Sequence, residues 1–193
     1  MSKDKLKYIL FLVAIIVVMF AVSVGIILLV KSSDITTNNV NASDVEYIAD
    51  SNTIIIKNII SVSEDFGKNI DEENGGAFGY LKFKVKNNTD EERNYQVYIT
   101  KQTPSIAEIN SNYITFYLTD SNNKPFDEYL GNKLPSFDDF HYIEDLAESK
   151  IIHNGTLKAN EEQDLILRVW IADNFVINEE EEVFSFEIDA RAY

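Results

Sequence analysis

Few residues of this 193-residue chain could carry out chemistry. His141 and His153 are the only imidazoles, and there is no cysteine. Thiolate zinc sites, thiol catalysis and a lipoprotein anchor are therefore excluded. A zinc-protease helix needs H-E-x-x-H, whereas His141 to Glu144 gives only H-x-x-E, a spacing that arises easily by chance in an acidic chain. A zinc site from both histidines and Glu144 stays open, although no spacing favours it. His153 stands in "HNGT" beside Gly155 and reads as a solvated strand end. No G-x-S-x-G stretch offers a strained nucleophile. The glycines of "ENGGAFG" lie between an acidic loop and a strand, with no following helix whose positive end could hold a phosphate. "DSNNKPFDE" sets Asp120, Asn122 and Asp127 on a turn as a candidate calcium site, without the glycine and terminal glutamate of an EF-hand loop. No catalytic residue and no cofactor is expected, and the chain reads as a non-enzyme.

The elements that would position such residues are strands. Period-two alternation recurs: Leu81, Phe83 and Val85 on one face against Lys82, Lys84 and Lys86; Tyr95, Val97 and Ile99; Ile114, Phe116 and Leu118; Phe184, Phe186, Ile188 and Ala190. An earlier run adds Ile54, Ile56, Ile60 and Val62. Polar turns separate them, "NNTDEER", "DSNNKP", "HNGT" and "NEEEE". The fold class is mainly β, an antiparallel β-sandwich of immunoglobulin-like or jelly-roll type, with one short helix. After Pro135, Phe137, Phe140, Ile143 and Leu146 fall at helical spacing, and Ser136 with Asp139 forms a capping box, which predicts that helix within 137–149.

One strand is apolar on both faces. Leu165, Leu167, Val169 and Ile171 share one, and Ile166, Arg168, Trp170 and Ala172 the other. Burying a large apolar side chain is worth about 1.5–3 kcal/mol, so something should cover the second face. Either the predicted helix or a loop lies there, or Trp170, Arg168 and Ile166 form an interface with a partner or another copy.

Residues 8–30, "YILFLVAIIVVMFAVSVGIILLV", hold no charged side chain and would reach roughly 35 Å as a helix, enough to span a bilayer core of about 30 Å. Lys3, Lys5 and Lys7 precede this stretch, so the 1–7 tail is expected in the cytoplasm and the rest outside. Cleavage after "AVS" (21–23) is the competing reading. Residues 31–44 are polar and read as a stalk, followed by one extracytoplasmic domain over 45–193. Of 17 basic and 32 acidic residues, three and one precede the span, which leaves 14 against 31 and a formal charge of −17 beyond it. Such a surface repels phosphate, so nucleic acid is excluded as a partner; the bilayer, through 8–30, and a protein are the expected ones.

"LKFKVKNNTDEERNYQVYI" (81–99), "YITFYLTDSNNKPF" (113–126), "GTLKANEEQDLILRVWIAD" (155–173) and "VFSFEIDARAY" (183–193) together resemble a group of small exported Firmicutes-type proteins with an N-terminal hydrophobic segment and a sandwich domain. More distantly the chain is similar to the TasA and camelysin class of biofilm-matrix and surface proteins, with Asn160 where that class has the glycine of a G-x-L-x-A-G-E turn; asparagine tolerates the positive φ required there. The resemblance implies a sandwich at the cell surface and names no substrate. The camelysin metalloprotease label finds no zinc motif here. The resulting expectation is a membrane-anchored structural or protein-interaction module; a processed matrix or appendage subunit assembling by strand exchange is the alternative.

Overall fold

The computed structural model describes residues 43–177 and 180–193. The expected membrane helix at 8–30 lies outside the described residues, as do the 1–7 tail and the stalk up to residue 42. Among the described residues no helix is long and apolar enough to cross a membrane.

The alternating segments form β1 (Val45–Ile48), β2 (Thr53–Lys57), β3 (Ser61–Val62), β4 (Gly79–Asn87), β5 (Arg93–Gln102), β6 (Ala107–Glu108), β7 (Ile114–Asp120), β8 (His141–Tyr142), β9 (Ser149–Leu157), β10 (Glu162–Ala172) and β11 (Glu182–Ala192). In one sheet β1, β4 and β10 are neighbours, β7 pairs the other edge of β10, and β3 adds two parallel residues at the end of β10. In the second, β2, β11, β5, β9 and β8 follow in order, with β6 parallel beside the start of β11. All remaining ladders are antiparallel.

Leaving out the two-residue strands, each strand is followed in sequence by one in the opposite sheet. An immunoglobulin domain keeps its first two strands in one sheet, so that strand order is not adopted here. The short connections 88–92 and 158–161 carry the chain across one end of the sandwich and bond to each other there, Asn160 N–H donating to Thr89 O at 3.0 Å. Asn160 does take the left-handed conformation, with φ 57°.

The two inner faces meet in one core. Phe83, Val85, Phe116, Leu118, Leu165, Leu167 and Val169 face Ile54, Ile56, Val97, Ile99, Phe184, Phe186 and Ile188, all buried. The rings of Phe116 and Phe186 touch across the gap, centroids 5.4 Å apart. The run from Ile54 to Val62 is only partly a strand. It breaks at buried Asn58, whose backbone N–H donates to Glu182 O and whose carboxamide bonds Glu180 O and Glu182 N–H, and Ile60 beyond it is exposed.

The helix predicted within 137–149 does not form. The capping bonds are present, with the Asp139 carboxylate accepting from the Ser136 N–H at 2.8 Å and its hydroxyl at 2.7 Å. They close only a 3-10 turn, Phe137–Asp139. The backbone on either side is taken by strands: Phe116 N–H donates to Pro135 O, Ser136 bridges Thr115, and β8 pairs with β9. Edge pairing wins over helical periodicity because it satisfies buried backbone groups on β7 and β9.

The one α-helix among the described residues is α1 (Glu64–Gly67), capped by the Ser63 hydroxyl. It lies over the second face of β10 and answers what covers that face. Gly67 presses on the Trp170 indole so closely that a Cβ there would stand 2.1 Å from Trp170 Cε2. Trp170 is 1% exposed, Arg168 5% and Ile166 6%. The guanidinium of Arg168 donates to Ile70 O at 2.7 Å, Thr119 Oγ1 at 3.2 Å and Asn123 Oδ1 at 2.5 Å, and its carbon lies 5.8 Å from the Tyr80 ring centroid. Trp170, Arg168 and Ile166, expected as an interface, are therefore buried within this chain: Gly67 lies on the indole, and Ile70, Thr119 and Asn123 hold the guanidinium.

Candidate functional site

The two histidines end up in different surroundings. His141 is exposed on β8. His153, expected as a solvated strand end, is 5% exposed within β9. A bulge causes this. Val97 pairs with His153 and Tyr98 with Ile151, so Ile152 has no opposite number. The extra residue turns the strand by one side-chain position, and Ile152 and His153 are both buried although consecutive.

Beyond Ile151, where β8 stops, no described strand lies beside the outer edge of β9. A 3-10 turn, Asp127–Tyr129, lies along that edge instead. Buried Tyr129 donates its hydroxyl to Ile152 O at 2.8 Å, and the Glu128 carboxylate accepts from the Asn154 N–H at 3.4 Å. The same carboxylate oxygen stands 3.1 Å from His153 Nδ1. Phe126 stacks on the imidazole, centroids 4.1 Å apart and 36° between planes, and Tyr95 meets it edge-on at 5.8 Å. The Tyr95 hydroxyl in turn donates to Gln163 Oε1 at 2.7 Å.

Electrostatics follow from burial. Removing the imidazole from water lowers the His153 pKa below its usual value, and this outweighs the opposing pull of Glu128. The ring is neutral at pH 7. Glu128 on Nδ1 then favours the tautomer with its proton on Nδ1 and the lone pair on Nε2. Burial raises the Tyr129 and Tyr95 phenols well above their usual range. Hydrogen bonds from the Ser136 N–H and hydroxyl lower the Asp139 carboxyl.

Two clefts meet at His153. One, of about 250 Å³, is lined by Glu128, Asp139, Phe140, His141 and Asn154 among others. The second, of about 330 Å³, is lined by Asp120, Lys124, Phe126, Asp127, Glu128 and Gln163. Neither lining contains a serine, threonine or cysteine, so the Glu128–His153 pair has no hydroxyl or thiol to activate there. The arrangement offers an oriented acceptor nitrogen beside carboxylates, which suits recognition of a hydrogen-bond donor.

Of the calcium candidates, Asp120 and Asp127 line the same cleft, and Asn122 does not. Asp120 Oδ1 is already used, accepting from the Asn122 and Lys124 N–H groups at 2.8 and 2.9 Å in the turn where Asn123 has φ 62°. Among the described residues no group of three or more His, Asp or Glu side chains is placed to hold a metal ion, a zinc set of His141, His153 and Glu144 included. Sequence reasoning passed over Glu128 and Phe126 because nothing in "KPFDEYL" marks them; only the bulge and the 3-10 turn bring them to His153. No protein-family model matches the chain, and no curated protein matches it.

Proposed function

We propose that the chain is a single-pass membrane protein in which residues 8–30 anchor an extracytoplasmic β-sandwich at the cell surface, where it acts as a non-catalytic structural or protein-interaction module. This is the role implied by its resemblance to small exported Firmicutes-type surface proteins. One observation supports it above the others: exposed apolar side chains gather at one end of the sandwich. Lys57 pairs with Val183, Asn58 bonds to Glu182, Glu182 pairs with Ala107, and Ile171 pairs with Ser61, which brings the 58–60, 103–108 and 173–177 segments to the same end. Ile59, Ile60, Ile106, Val176 and Ile177 are exposed there. Val45, where the sandwich begins, pairs with Asn87, and Tyr193 bonds to Asn94, at the opposite end. Exposed apolar groups held away from the point where the chain enters suit a module that meets a protein partner with its far end.

The test is a photo-reactive amino acid placed at Ile59 or Ile177 in the full chain in cells, with Glu46 at the other end as control. Adducts of defined mass from the apolar end and none from Glu46 are expected; equal labelling at both, or none, overturns the module reading. Intact mass of the cell-derived chain tests the anchor. The alternative, a TasA-like processed subunit assembling by strand exchange, is favoured by the open edge of β2, where Ile55 is exposed and no described strand pairs the outer side. A mass beginning at Val24 supports that alternative and removes the anchor.

A further inference from the structure

We propose that the paired clefts at His153 form a binding site for a guanidinium group, with His153 Nε2 and the carboxylates of Glu128, Asp127 and Asp120 as its acceptors. This does not rest on the module reading, since the site lies on the β9 edge and uses none of the apolar residues at the far end.

The argument begins from an unused nitrogen. His153 is 5% exposed, and its Nδ1 is taken by Glu128, whereas Nε2 has no partner among the described residues. No fully enclosed side-chain nitrogen or oxygen among the described residues lacks a hydrogen bond. Nε2 is therefore not sealed in; it reaches the cleft surface, where a ligand can meet it. A buried imidazole held by a carboxylate on one nitrogen, a stacked ring and an edge-on tyrosine is pre-organised, so little freedom is lost when its other nitrogen accepts a bond.

The surroundings select the ligand. The larger cleft presents Asp120, Asp127 and Glu128 against the single cation Lys124, and the smaller one Glu128 and Asp139. With the imidazole neutral, the two clefts share an acceptor at His153 Nε2 and an anion at Glu128, with only the uncharged carboxamide of Asn154 beside them, so the complement is a cation with several donors. A guanidinium fits better than a bare metal ion or an ammonium. Its planar fork can donate to Nε2 and to a carboxylate together, and its faces suit the half-buried Phe126 and Phe140 rings. A metal would need three or more ligands converging on one point, which the described residues do not provide. Clefts of about 250 and 330 Å³ admit one arginine-sized group each.

The group could belong to a free small molecule or to an arginine of a partner protein, and the experiment separates these sources. The full chain, with its histidine ring nitrogens labelled with 15N, is titrated at pH 7.5 and constant ionic strength with N-acetyl-arginine amide, with a peptide carrying a central arginine, and with potassium chloride. A saturable shift of His153 Nε2 with arginine amide supports the site with a free ligand. Saturation by the peptide alone supports a partner's arginine. In either case Asp127→Asn weakens binding at least threefold, and His153→Phe abolishes the effect on the Phe126 ring signals. The exposed Asp127 side chain makes no hydrogen bond or ion pair among the described residues, so its variant keeps the sandwich intact. Linear shifts equal to those of potassium chloride, or binding unchanged in Asp127→Asn, overturn the proposal.

Discussion

Gly67→Ala puts the cover of β10 to a direct test. A methyl group at this position would lie 2.1 Å from Trp170 Cε2 and 2.3 Å from Cδ2, whereas carbon atoms in contact rest at about 3.5–4.0 Å. Either α1 or the indole must shift by about 1.5 Å. The indole has little room: Trp170 is fully buried, and β10 is held by β4 on one edge and β7 on the other. Overpacking of this sort costs about 1–3 kcal/mol. Against it stands the gain that alanine brings over glycine by restricting the unfolded chain, about 0.4–1 kcal/mol where the conformation allows it, and Gly67 does not have positive φ. The net expectation is a loss of about 1–2 kcal/mol, which for a domain of this size lowers Tm by roughly 2–8 °C. The chain's only tryptophan is the one affected, so urea unfolding followed by its fluorescence reads stability and local environment together, with native emission shifted to the red. A variant as stable as the parent or more so, with unchanged emission, would mean that α1 does not sit on Trp170, and the second face of β10 would again be open to a partner.

Two further outcomes follow from single residues. Asn160→Ala forces a Cβ-bearing side chain without local hydrogen bonding into left-handed backbone and removes the bond to Asp90, and should cost about 1–2 kcal/mol, measured by urea midpoint; Asn160→Gly should recover most of it. His153 has a folded pKa below its unfolded value near 6.5, so the unfolded chain takes up its proton first as pH falls. Its contribution to stability is complete above about pH 6.5 and declines below it toward the depressed folded pKa. Unfolding free energy of the parent should therefore drop across that window, and in His153→Gln the slope should flatten; equal slopes would show that His153 does not titrate differently on unfolding.

The sequence by itself determined the layers of this sandwich. Alternation at Leu81–Val85, Tyr95–Ile99, Ile114–Leu118 and Phe184–Ala190 names the inward faces because a strand has only two sides, and burial sorts them. The left-handed backbone at Asn160 was implied by the resemblance rather than by the pattern of types, and asparagine is one of the few residues that accept it. The Ser136–Asp139 cap was legible as a cap, but its chemistry is local and is satisfied by a single 3-10 turn. What followed the cap depended on unpaired backbone at β7 and β9, and only tertiary structure supplies that. The cover over Trp170 was undecided in sequence because covering is a relation between distant segments, here Gly67 and Trp170, and no periodicity encodes it. His153 shows the same division most sharply. One extra residue at Ile152 exchanges inside for outside, and a bulge leaves no mark in the pattern of types. The pairing of Glu128 with that imidazole was decided by the tertiary structure alone, because it arises where an edge left free by β8 is closed by a turn from elsewhere in the chain.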